Sequence, residues 1–240
     1  MNKTTSLVVL LAGLTLTGSL TTTAYAQSPS SGFVDINGGA QTQSRTFKAS
    51  TSFPLYGETA GISSAQAIDS GGLFDVSGGY RIVPVFGIGV GVSTFSRSGD
   101  GSLAASIPSP AAFNKAANVT NSVADLKHSE VATHVLLAFF VRLTGKIDAT
   151  VSVGPSFFRV SQDILSATVL AGTQNISAAT HREKANTTGV NGGVSLNIMV
   201  APKYGLGAFA RYAGATASLP STGDLKVGGL QVGGGLRLRF

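Results

Sequence analysis

The sequence predicts an all-β protein: an eight-stranded antiparallel transmembrane β-barrel with short turns at one end and long loops at the other. Three observations predict it. Charged residues are only 12% of the 240-residue chain and glycine fills 31 positions, against roughly 25% charge and ~7% glycine in ordinary soluble domains. Beyond the leader, the longest apolar run (135–141) falls far short of the roughly 18 residues a membrane helix needs. A lipid-facing chain without spanning helices must close a sheet on itself, because only closure satisfies every backbone group in hydrocarbon. The third observation is positive: period-two alternation of apolar and polar residues recurs in segments of about ten residues, the signature of strands with lipid on one face and lumen on the other.

The leader reads as a signal peptide at 1–26. Lys3 closes a short positive start, 7–16 is apolar, and Ala24-Tyr25-Ala26 is a small-x-small cleavage site. Export through the Sec pathway and a single barrel domain at 27–240 follow from it.

Eight alternating segments then run at 33–43, 74–84, 85–97, 127–143, 147–160, 187–200, 204–217 and 225–240. In the second, Phe74, Val76, Gly78, Tyr80 and Ile82 oppose Asp75, Ser77, Gly79 and Arg81. In the fourth, Val131, Val135, Leu137, Phe139 and Val141 form the lipid face. Its lumen face holds Glu130, His134 and Arg142, with Leu136 and Phe140. In the last, Leu230, Val232, Leu236, Leu238 and Phe240 oppose Gln231, Arg237 and Arg239. Three connections are short, around Pro84, Gly145 and Pro202, and pairing Ile82 with Phe86, Leu143 with Ile147 and Val200 with Tyr204 keeps phase through each. Three others, 44–73, 98–125 and 161–186, are long and rich in Ser, Thr, Ala and Gly, so they read as mobile loops. Phe86, Phe139, Tyr204 and Phe240 fall at one end of the strands, and Phe74, Phe95, Phe157 and Tyr212 at the other, as two aromatic girdles.

These segments resemble the small outer-membrane β-barrel superfamily that includes OmpX, OmpW and the transmembrane domain of OmpA. The resemblance covers nearly all of 31–240. Its most specific piece is the terminal strand 230–240, where Leu236, Leu238 and Phe240 resemble the insertion signal read by the barrel-assembly machinery. Residues 153–159 and 207–212 resemble strands of porin-like barrel domains. The resemblance implies a place in the bacterial outer membrane, lipid as the constant partner, and assembly machinery and periplasmic chaperones during biogenesis. It also implies long loops that can meet an extracellular ligand.

The candidate site is the lumen. Asp35, Asp75, Arg81, Glu130, His134, Arg142, Asp148, Arg211, Arg237 and Arg239 are expected to face it. Eight strands leave a bore that side chains just fill, and buried charges must be paired, so these residues read as an internal charge network. Arg142 and Asp148, opposed across the Gly145 turn, are expected to pair. His128, Glu130 and His134 share a face, but Ser129 points the other way. That arrangement is wrong for a nucleophile with its base, and the spacing matches no metal site, so no catalytic residue, cofactor or metal is assigned. The scattered basic residues (net charge +6) form no patch suited to nucleic acid. The absence of cysteine excludes disulfides, a thiolate metal site and an acylated N-terminal cysteine. The expected function is a structural or surface-interaction, adhesion-like role with a plugged lumen. The alternatives are a narrow porin or OmpW-like conduit for small hydrophobic molecules, which Leu136, Phe140 and Phe209 would line, and a lipid-modifying enzyme.

Overall fold

The structure, a computed structural model, describes residues 31–170, 172–220 and 223–240. The leader read at 1–26 lies outside the described residues. Ten strands follow: β1 (Gly32–Gln41), β2 (Arg45–Leu55), β3 (Glu58–Ile68), β4 (Gly71–Val83), β5 (Phe86–Pro108), β6 (Ala116–Arg142), β7 (Ile147–Val169), β8 (Ile176–Met199), β9 (Tyr204–Leu219) and β10 (Gly223–Arg239). Eight of them close a ring, in the order β1, β4, β5, β6, β7, β8, β9, β10 and back to β1, with every pairing antiparallel.

Those eight are the alternating segments of the sequence. Their alternation sets the faces: Val90, Leu137, Val153, Val194, Leu206 and Leu236 are exposed on the outside, while Asn37, Asp75, His134, Asn197 and Arg237 are buried inside. Around the ring this gives an apolar outer belt and a polar interior, so the molecule is a membrane-spanning barrel. Phe139, Tyr204 and Phe240 project from one rim of the belt, and Phe74, Phe157 and Tyr212 from the other. Phe95 does not join the outer girdle. Its side chain is buried inward with Leu73 and Phe158, because it shares the face of Ser93 and Gly91.

The barrel itself has the expected eight strands, but the described residues form ten. The connection at 44–73 holds the hairpin β2–β3, and β3 pairs Gly61 to Ser106 and Gln66 to Gly101 along the outer half of β5. The other two long connections are not loops either. β5 and β6 stay paired out to Pro108 and Ala116, and β7 and β8 out to Val169 and Ile176. The reason is burial. Leu103, Ala105 and Ile107 alternate along β5 and pack with Ala60, Leu126 and Leu165 into a second apolar core beyond the membrane belt. Short Ser- and Thr-bearing strands suffice once one face has such a core to cover.

The turns at Gly145 and Pro202 keep the expected register: Arg142 faces Asp148, and Met199 faces Gly205. At Pro84 the loop is tighter. Val83 pairs with Phe86 while Arg81 keeps Gly87, so Ile82 is bulged out and the phase below the turn is preserved.

Candidate functional site

The lumen side chains come from strands that face each other across the bore. At the short-turn end, Arg239 Nη1 donates to Asp35 Oδ1 at 2.7 Å. Arg237, 1% exposed, donates through Nε to Asn197 Oδ1 and through Nη1 to Asn37 Oδ1, each at 2.6 Å, with Asp35 3.8 Å away. A glycine makes room for it: a Cβ on Gly207 would stand about 2.5 Å from Arg237 Nε. One level higher, Asn37 donates to Asp75 at 3.1 Å, and Arg211 Nη2 reaches the same carboxylate at 2.7 Å. Arg211 Nε donates to Gln231, whose amide donates to Gln41, which in turn donates to Glu130 at 3.4 Å. Both ring nitrogens of His128 rest on oxygens, Glu130 Oε1 at 2.8 Å and Gln162 Oε1 at 2.6 Å, and Gln162 donates onward to Gln66. A continuous run of hydrogen bonds and ion pairs therefore climbs the lumen from Arg239 to Gln66.

His134 sits beside this run, 0% exposed, between the hydroxyls of Ser93 (2.9 Å) and Ser156 (2.7 Å). Asn191 donates to Ser156 as well. The sequence placed His134 in the lumen but gave no hint of its serine partners, which come from the two neighbouring strands. Ser129 lies outward and away from them, beside Val131.

The expected Arg142–Asp148 ion pair does not form, although the register opposes the two residues. Arg142 is exposed at the rim. Asp148 instead accepts from Asn197 at 2.8 Å, with Arg81 Nη2 4.0 Å away across the bore. Burial favours a partner within the lumen over one in solvent. Two arginines at this end also lie over aromatic faces: Arg81 is 4.0 Å from the Phe140 ring and Arg239 5.6 Å from that of Phe33.

Glu130 joins the polar run to the outer seal. Its Oε2 accepts the backbone N–H of Gly228 at 2.8 Å. Gly228 and Gly229 carry φ of 79° and 148°, a conformation that favours glycine and bends β10 so that this N–H points inward. The carbonyls of Lys226 and Gly228 accept from Arg45, at the start of the β2–β3 hairpin. Around Glu130 and outward from it, apolar side chains pack against the polar run: Phe47, Ile68, Phe95, Phe158, Val160, Ile164, Leu219, Leu225 and Val227 form one buried cluster toward the mouth. Within the lumen, the space bordered by Asp35, Asp75, Leu136, Arg211 and Arg237 is about 60 Å³, room for a few waters. Among the described residues no group of three or more His, Asp or Glu side chains could hold a metal ion.

A closed ring with an apolar outer band and a polar, side-chain-filled interior is the architecture of a bacterial outer-membrane β-barrel. No family model matches the sequence, and no curated protein matches it. Among solved structures the chain is similar to the outer membrane protein OprG from Pseudomonas aeruginosa (TM-score 0.49, 10% identity, 88% of this chain and 97% of that one). It is also similar to the outer membrane protease OmpT from Escherichia coli (0.47, 11%, 91% and 99%) and to the N-terminal β-barrel domain of P. aeruginosa OprF (0.40, 12%, 89% and 100%).

Proposed function

We propose that the protein is a plugged outer-membrane barrel with a structural or surface-interaction role, in which the membrane belt serves as anchor and the outward β-extension as the working surface. In this reading the leader is removed before Gln27, periplasmic chaperones deliver the chain, and the assembly machinery reads Leu236, Leu238 and Phe240. Any extracellular ligand is met by the extension.

The observation that carries the proposal is the double filling of the lumen, by a polar network that climbs from Arg239 to Gln66 and by an apolar cluster packed around its outer half. A solute path needs a continuous gap, and the space beside Asp75 is only about 60 Å³. A catalytic role also finds little support. His134 lies within reach of two serine hydroxyls, as a base must, but it is wholly buried and no substrate can reach it. The network of Asp35, Asp75, Arg81, Glu130, Asp148, Arg211, Arg237 and Arg239 is then a structural plug.

Single-channel recording in planar bilayers tests this. The expected result is no sustained open level for the full mature chain. A stable conductance that persists after the β2–β3 hairpin is removed would overturn the plug and favour the conduit for small molecules. Turnover of lipopolysaccharide, followed by mass analysis of the lipid, would overturn the non-enzymatic reading.

A further inference from the structure

The outer wall carries a basic patch directly above the lipid belt, on β6, β7 and β8. The registers arrange it as a grid. Nearest the lipid is the row Thr133, Phe157, Thr188, in which Phe157 is one of the outer girdle aromatics. The next row outward is Val131, Arg159, Asn186, followed by Ser129, Ser161, Lys184. In the fourth row Asp163 faces Arg182, and the Lys127 backbone N–H donates to the Asp163 carboxylate at 3.0 Å. At strand spacings of ~4.8 Å and two-residue rises of ~6.8 Å, the three outer rows cover roughly 10 by 14 Å.

The charges in this patch do not cancel. Asp163 is engaged by Arg182, through bonds of 2.7 and 3.0 Å. Lys127, Arg159 and Lys184 are exposed and form no ion pair among the described residues. The acids Asp100 and Asp125 fall in the β5–β6 irregularity, farther from the lipid. Between the cations stand Ser129, Ser161 and Asn186, small donors that leave an anion room to approach.

We infer that this patch is a lipid-headgroup site, which binds the phosphate groups of a phosphorylated glycolipid in the outer leaflet. The position decides the occupant. A girdle aromatic marks the depth at which headgroups begin, and Arg159 lies one row above it. An acyl chain can lie along Val135 and Val190 below while its phosphate meets Arg159 and Lys184. Arginine holds phosphate by two parallel donors, and lysine adds a mobile point charge.

The test uses the mature barrel refolded in zwitterionic detergent, titrated with bisphosphorylated lipid A and, separately, with dephosphorylated lipid A, with bound lipid counted by native mass spectrometry. The triple variant Lys127→Gln, Arg159→Gln, Lys184→Gln is compared with a charge-matched control, Lys48→Gln, Lys146→Gln, Lys203→Gln. Heat-modifiable gel migration verifies that each is folded. With about a fivefold effect per cation, the patch variant should bind bisphosphorylated lipid A roughly 100-fold more weakly. The control should match wild type, and dephosphorylated lipid A should bind weakly to all three. Equal loss in the control, unchanged binding in the patch variant, or equal affinity for the two lipids would overturn the site. Displacement by inorganic phosphate at the same phosphate concentration would overturn the lipid as occupant.

Discussion

Asp75 on β4 and Arg211 on β9 tie opposite walls of the barrel together, since β1 and β10 lie between their strands in the ring. Their side chains are 3% and 7% exposed and meet at 2.7 Å. Arg211→Met removes the cation, leaving the Asp75 carboxylate with Asn37 alone and the Gln231 carbonyl without its donor. Breaking a buried pair on one side costs about 3–5 kcal/mol. The retained Asn37 bond and the small cavity beside Asp75, which admits water, put the expected cost at the lower end, about 3 kcal/mol. Asp75→Asn should cost slightly less, because the Arg211 guanidinium keeps Gln231 and lies 5.7 Å from the Phe209 ring. The double variant buries no unpaired charge, so it should lie within about 1 kcal/mol of wild type, a coupling of several kcal/mol. Urea titration in phosphatidylcholine vesicles measures this. Heat-modifiable migration is the readout of choice, because the chain has no tryptophan to follow by fluorescence. Single variants that each cost under about 1 kcal/mol, or costs that simply add, would refute the cross-lumen tie.

Three further outcomes are expected. The hydrogen-bonded Arg182 guanidinium holds the Asp163 carboxyl below its ordinary value of 3.8, helped by the Lys127 N–H and opposed by burial. A depressed carboxylate stabilises above its unfolded pKa and loses that contribution as pH falls through the folded one. The melting temperature of wild type should therefore drop on acidification below 3.8 by more than that of Asp163→Asn, and superimposable pH profiles would contradict this. Gly228→Val places a β-branched residue at positive φ, a strain of about 1–3 kcal/mol, and moves the N–H that Glu130 accepts. Folded yield in vesicles should fall, and a wild-type yield would show that the Gly228 backbone geometry is not needed. Phe47→Ala empties part of the apolar cap at a cost of about 3 kcal/mol. Bilayers should stay non-conducting because the polar plug lies beneath, and steady conductance would show that the cap alone closes the bore.

The barrel was legible because each of its strands has two unlike environments. Period-two alternation survives wherever one face meets lipid and the other a filled lumen, as from Phe74 to Ile82 and from Leu230 to Phe240. Beyond the membrane that contrast weakens, and Ser, Thr and Ala fit loop and strand equally well. The triplet Leu103, Ala105, Ile107 was nevertheless a strand signal, masked by its polar surroundings. Side-chain partners were less legible. Alternation assigned Arg81, Arg211 and Arg237 to the lumen, but which carboxylate each meets depends on barrel closure, and that brings β4 opposite β9. Arg142 and Asp148 show the limit from the other direction: adjacency across a turn set their register, yet solvent at the rim and Asn197 inside decided the contacts.

The two halves of the molecule meet at Glu130. Below it, the ring and its polar filling form one unit. Above it, β2–β3, the outer half of β5 and the β7–β8 hairpin enclose their own core around Leu103 and Leu165. One carboxylate touches both. It accepts from Gln41 at the top of β1 and from Gly228 at the positive-φ pair in β10, and it lies 3.9 Å from Arg45 at the root of the added hairpin. Arg45 in turn caps two β10 carbonyls that lie beyond the end of the β1–β10 pairing. An unpaired carbonyl or carboxylate at this depth would be costly, so the Gly228 segment, the hairpin root and Glu130 must be satisfied together. This mutual dependence fixes the extension to the barrel at a defined angle. A flexible tether would have left the outward face free to tilt, whereas here that surface is held by the same network that fills the lumen.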